Sequence, residues 1–171
     1  MVVSNTSPLR YLIAVDQVGL TAEVFTHVII PPAVLAELAH PSSLDDVRRW
    51  IEKPPAWLEV RELAGDPDEE LAMSLDEGEA EAIQLAVETR ADFLLIDELL
   101  GRRAAGRRGL TVIGALGLLR ESYRQRLITE PLQILGDMKR IGFRISPQLD
   151  RAFKDQIASL RKLRDEALTD Q

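Results

Sequence analysis

The chain has 171 residues, 46% of them hydrophobic, a formal net charge of -7 and no cysteine. That length supports one full core and a single domain over residues 1–171, and no apolar run approaches the ~20 residues that a bilayer span needs. Disulfides and thiolate metal sites are excluded. The acidic balance argues against strong non-specific nucleic-acid binding, and the lack of an N-terminal basic segment or cleavage site makes a cytoplasmic protein the expectation.

Met1 to Ser4 predicts a short strand, and Asn5-Thr6-Ser7-Pro8 predicts a turn into a helix capped by Ser7, with Pro8 at its first position. Leu9, Leu12, Ile13 and Val18 give that helix an apolar stripe, with Gly19 expected to end it. Thr26 to Ile30 reads as a second strand, and Pro31-Pro32 opens a helix that carries Glu37. Ser42 or Ser43 is expected to cap a helix through Ile51, and Trp57 to Val60 to form a third strand. Asp66 to Glu70 reads as a solvated acidic segment and Leu71 to Leu75 as a helical turn.

Glu79 to Thr89 has the clearest helical pattern, Phe93 to Ile96 the clearest buried-strand pattern, and Leu110 to Ile113 predicts a fifth strand after an Arg-rich helix. Three helices follow, from Leu116 to about Arg126, from Pro131 to Ile141, and after Ser146-Pro147. The last places Leu149, Phe153, Ile157, Leu160 and Leu163 at helical spacing, which calls for a buried face on the domain's own core or at a dimer seam. Alternating strands and helices predict a three-layer α/β/α domain with a central parallel sheet of about five strands and a helical extension from about residue 131. In such sheets, groups past the carboxyl ends of strands converge at the topological switch point, and Asn5 and Asp97 both lie there.

Glu79 falls on the inward arc of its helix and also fits a capping box with Asp76, whereas Glu81 falls nearer the polar side. Asp97 suits either a ligand or a helix cap, and Glu37 either a ligand or a solvated helix residue. Carboxylates gathered at one buried place require a cation, and hard oxygen ligands without cysteine suit Mg²⁺ or Mn²⁺.

The segments VVSNTSPL, IIPPAVLAEL, DEGEAEAIQLA, LLIDELLGRRAA with GLTVIGALGLL, and GFRIS, in that order, resemble the PIN-domain family of metal-dependent ribonucleases, in the branch related to toxins of toxin–antitoxin pairs. The resemblance implies a first acid position at Asn5, a second at Glu37, a third at Glu79 and a fourth at Asp97. Glu81 competes for the third position and Glu98 adds to the fourth. The family pattern usually has aspartate where this chain has Asn5, whose amide offers a neutral oxygen and no charge. The implied chemistry is metal-assisted hydrolysis of RNA phosphodiesters. Thr6 would contact a ligand water or phosphate, and Arg102, Arg103, Arg107 and Arg108 either grip RNA phosphates or form a solvated basic face. A small antitoxin partner and a homodimer are further expectations of the family. Two other readings remain: a catalytically weak module that binds RNA or a protein partner, and a phosphoryl-accepting regulator, which the missing acid at Asn5 disfavours.

Overall fold

The computed structural model describes residues 1–169, with side chains through Glu166. Its elements run β1 (Val2–Ser4), α1 (Thr6–Ala14), α2 (Gly19–Phe25), β2 (Val28–Ile30), α3 (Pro32–Ala39), α4 (Asp45–Ile51), β3 (Leu58–Val60), α5 (Glu69–Ser74), α6 (Glu77–Thr89), β4 (Phe93–Leu95), α7 (Leu99–Arg107), β5 (Val112–Ile113), α8 (Ala115–Arg124), α9 (Pro131–Arg140) and α10 (Pro147–Thr169). The five strands form one parallel sheet in the order β3-β2-β1-β4-β5. Connections from β1 build outward through β2 to β3, then return to add β4 and β5 on the opposite side. The switch point therefore lies between β1 and β4.

Each strand is only two or three residues long, and alternate side chains enter different cores. Val2, Val28, Ile30 and Leu95 pack with α1, α2, α4, α8, α9 and α10 on one face. Val3, Ile29, Leu94 and Ile96 pack with α6, α7 and Leu71 of α5 on the other. Both faces are covered, as the apolar strand sequences require.

The element order follows the sequence reading, with local differences. Asn5, rather than Ser7, caps α1: its side chain accepts from the Thr6 N–H. Gly19 does not end this helix. The helix stops at Ala14, Asp16 turns the chain at φ 56°, and Gly19 starts α2. Neither Ser42 nor Ser43 caps α4; Leu44 occupies that position and Ser43 donates its hydroxyl to the Glu37 carbonyl. In α10, Phe153 and Ile157 are buried and Leu160 packs against the same core, but Leu149 and Leu163 are exposed, so the apolar stripe is covered only in its middle.

Candidate active site

Asn5 follows β1 directly, and its backbone N–H bonds to the Leu95 carbonyl of β4 at 2.9 Å. Two residues beyond β4 comes Asp97. The parallel register thus brings both residues to the same edge. Asn5 is 3% exposed; its Oδ1 accepts from Thr6 N–H at 2.7 Å, and its Nδ2 donates to Glu98 Oε2 at 3.3 Å. Glu98 occupies the N-cap position of α7 without making a side-chain cap bond, which leaves its carboxylate to face Asn5.

Glu37 projects from α3 into the same region. Thr6 donates its hydroxyl to one carboxylate oxygen, and Gly78 N–H donates to the other at 3.1 Å. Burial raises its pKa, the Thr6 hydrogen bond opposes that, and Asp76 reinforces it.

Glu79 stands on the inward side of α6 and is 5% exposed. Asp76 caps this helix by accepting from Glu79 N–H at 2.8 Å, and the Asp76 amide steadies the Glu79 carboxylate in return, so the capping box forms. Capping does not satisfy the whole group: Oε1 is buried without a partner. Burial first, then the charges of Asp76, Glu98 and Glu37, push Glu79 up to about 7.

Asp97 shows the same division of labour. Its Oδ1 accepts from Ala115 N–H at the start of α8 at 2.9 Å, while Oδ2 is buried and unpartnered. Burial raises its pKa to about 6 against the pull of the Ala115 hydrogen bond, with Glu98 adding to the rise and Arg102 opposing it.

Three glycines clear space for three of these acids. A Cβ on Gly78 would sit 2.5 Å from a Glu37 oxygen, one on Gly101 3.0 Å from Glu79 Oε1, and one on Gly114 2.5 Å from Asp97 Oδ1. Buried acceptors that lack donors are rare, and two at one sheet edge mark a place suited to a cation. The donor set of carboxylates and one amide, without sulfur, fits Mg²⁺ or Mn²⁺. Among the described residues, no three acidic or histidine side chains already converge as a preformed ligand cage.

Other sequence candidates have different neighbours. Glu81 accepts from Ala33 N–H at 2.8 Å, which commits it to the start of α3. Arg102 folds back to donate to the Ile96 carbonyl at 2.8 Å, and Arg103 is exposed on α7. Arg107 pairs with Glu70 at 2.6 Å, while Arg108 pairs with Asp68 at 2.6 Å and Glu70 at 3.2 Å, which ties the far end of α7 to α5.

Beside Asp97 opens a groove of about 620 Å³ between α7, α8 and α10. Its lining includes Arg102, Arg120 and Arg144, and the last two were absent from the sequence candidates. A smaller hollow of about 350 Å³ on the Tyr11 side also contains Asp97 and Arg144, together with Glu98.

A parallel three-layer α/β domain with acidic side chains beside the switch point of its sheet is the class of fold that this chain adopts. A PIN-domain family model matches residues 1–159, and the chain belongs to the PIN-domain family. PIN domains are nucleases in general and typically use divalent metal ions. Among solved structures, the chain is similar to a PilT N-terminus domain protein from the archaeon Sulfolobus solfataricus, at 20% identity and a TM-score of 0.51, covering 71% of this chain and 92% of the other. That likeness concerns the fold. No curated protein matches the chain.

Proposed function

We propose that this protein is a divalent-metal-dependent endoribonuclease, acting in the cytoplasm and held in check by a small antitoxin. One observation carries the reading: Glu79 Oε1 and Asp97 Oδ2 are buried acceptors without donors beside the switch point of a PIN fold. Asp97, Glu79 and Glu37 are the residues to hold Mg²⁺ or Mn²⁺, with Glu98 beside them. A cation there supplies Lewis acidity toward water and phosphoryl oxygens.

The chain's own groups divide the remaining work. Ala115 N–H fixes one oxygen of Asp97, so the other has a set direction. Thr6 and Gly78 each hold one oxygen of Glu37, which fixes the position of the whole carboxylate. Glu79 would hold the metal or orient the attacking water, and a bound cation would offset the burial and neighbouring acids that raise its pKa in the metal-free site. Asn5 brings no charge and serves as a donor to Glu98.

The test is cleavage of single-stranded RNA by purified protein in Mn²⁺. Metal-dependent cleavage that disappears in Asp97→Ala supports the reading. Asn5 favours a second reading, a catalytically weak module that binds RNA or a protein partner. RNA binding without cleavage at any Mn²⁺ concentration would establish that one instead.

A further inference from the structure

The groove beside Asp97 has a composition unlike the rest of the molecule. The chain carries 21 Lys and Arg against 28 Asp and Glu. Yet the charged residues that line this groove are Arg102, Arg120 and Arg144 against Asp97 alone. The three arginines come from α7, α8 and the segment between α9 and α10, far apart in sequence, and packing brings them to one channel.

Two of the three are available to a ligand. Arg144 is exposed and takes part in no ion pair among the described residues. Arg120 is exposed; it makes one long hydrogen bond, to Gln156 at 3.4 Å, and its charge also acts on Glu121. The wall that carries Arg144 is braced. Tyr11 donates its hydroxyl to the Gly142 carbonyl at 3.2 Å, its ring meets Phe143 edge-on at 5.0 Å, and Lys139 bridges α9 to Asp150 of α10 at 2.5 Å. Arg144 also borders the smaller hollow, so it stands where the two depressions meet above Asp97.

The same groove is lined by exposed aliphatic side chains, Leu99 and Leu149. A groove that combines guanidinium groups with apolar walls matches a ligand presenting phosphates and unpaired bases together. A duplex keeps its bases stacked inside and would leave the apolar walls unused. The aromatic rings nearby, Phe143 and Phe153, are buried, so the bases would meet aliphatic walls rather than a stacking platform.

We infer that this groove is the track for single-stranded RNA leading into the acidic edge, with Arg120 and Arg144 holding successive phosphates and the leucines facing the bases. The inference rests on the ribonuclease reading and extends it from the reacting bond to the strand around it. It also relocates phosphate binding from Arg107 and Arg108 to the opposite end of α7.

The experiment measures binding of a fluorescein-labelled 12-nucleotide single-stranded RNA of mixed sequence in EDTA, and its cleavage in Mn²⁺. The proteins compared are wild type, Arg120→Ala, Arg144→Ala, the double variant, Arg144→Lys and the control Arg49→Ala on α4. Each groove alanine should weaken binding about tenfold and reduce the salt-dependence slope by about 0.7. The double variant should lose more than either single one, Arg144→Lys should retain most of the affinity, and Arg49→Ala should match wild type. Both arginines are exposed, so an unchanged thermal unfolding midpoint confirms that the variants are folded. Wild-type binding and cleavage left intact in the double variant overturn the groove alone, whether or not a protein partner is lost. Absence of any RNA binding or cleavage by wild type overturns the groove and the ribonuclease reading together.

Discussion

Asn5 donates from Nδ2 to Glu98 Oε2 across 3.3 Å, joining the segments that follow β1 and β4. Its only side-chain acceptor already caps α1 through Thr6 N–H. The neutral residue is therefore part of the site's hydrogen bonding and separates the acid at Glu98 from the first sheet edge. Asn5→Asp, which adds the charge usual in the family, would set two carboxylates against each other. Metal-free stability should fall by about 1–2 kcal/mol, or roughly 3–6 °C in Tm, because a donor becomes a like charge. Mn²⁺ should recover more of Tm in the variant than in wild type. Thermal unfolding with and without Mn²⁺ measures both effects, and an unchanged metal-free Tm would contradict the pairing.

Burial raises Glu79 to about 7 and Asp97 to about 6, from ordinary values of 4.5 and 3.8. Between about pH 4 and 7 the native state accordingly holds more protons than the unfolded chain. Metal-free stability should be greatest at the acidic end of that window, decline as pH rises through it, and level off above pH 7. Glu79→Gln should flatten much of the decline and raise stability at pH 8 by an amount on the order of 2 kcal/mol, while abolishing metal-dependent cleavage. Denaturant unfolding at several pH values in chelator decides this. A wild-type curve flat from pH 5 to 8 would count against it.

Gly78→Ala, Gly101→Ala and Gly114→Ala should separate stability from function. Each added Cβ meets a carboxylate oxygen at 2.5 to 3.0 Å, and Gly101 also meets Ile96 Cδ1 at 2.4 Å. At Gly78, inside α6, the obstacle is the tip of a side chain that can swing aside, and alanine suits a helix better than glycine by up to ~1 kcal/mol, whereas Gly114 is the N-cap of α8, where alanine is the poorer residue and where moving Asp97 gives up its bond from Ala115 N–H. Gly78→Ala should fold with Tm near wild type and Gly114→Ala with a lower Tm, and both should lose at least about tenfold in cleavage, because the displaced acid no longer points where it did. Gly101→Ala should also lose stability. Isothermal titration with Mn²⁺ alongside Tm checks the separation; full metal affinity in Gly114→Ala would show that its clearance is incidental.

Arg108→Ala removes the pair with Asp68 and Glu70 that links α7 to α5. Because both acids are exposed to solvent, which screens the pairs, the loss in stability should be small, seen as a slight fall in Tm. RNA binding should be unaffected, which a side-by-side titration with Arg144→Ala would reveal. A tenfold loss of RNA affinity in Arg108→Ala would return phosphate binding to that end of the helix.

The parallel sheet was legible because short apolar runs alternate with amphipathic ones, and Asn5 and Asp97 gain meaning once two strands are known to be parallel. Glu79 was legible from its arc on the helical wheel, though whether it caps the helix or faces the site was open; one oxygen does each. Gly19 misled because a glycine after an apolar stripe signals a stop, whereas here Asp16 turns the chain first and the glycine opens the next helix. The surroundings of the arginines were not legible, for a longer-range reason. Arg107 and Arg108 look free until Asp68 and Glu70, nearly forty residues upstream, are brought against them, while Arg120 and Arg144 have no sequence neighbour that marks them. Only the packing of α8 and α10 brings them together.

The brevity of the strands makes the sheet a reporter of its own edge. Asn5 N–H is held by Leu95, and Ile96 N–H by the Ile113 carbonyl at 2.9 Å, so the last rungs of the ladder abut the acids themselves. Repulsion among those acids would loosen these rungs, and its relief by a cation would tighten them. Slower deuterium uptake at Asn5 and Ile96 would then register occupation of the edge before any strand of RNA is cut.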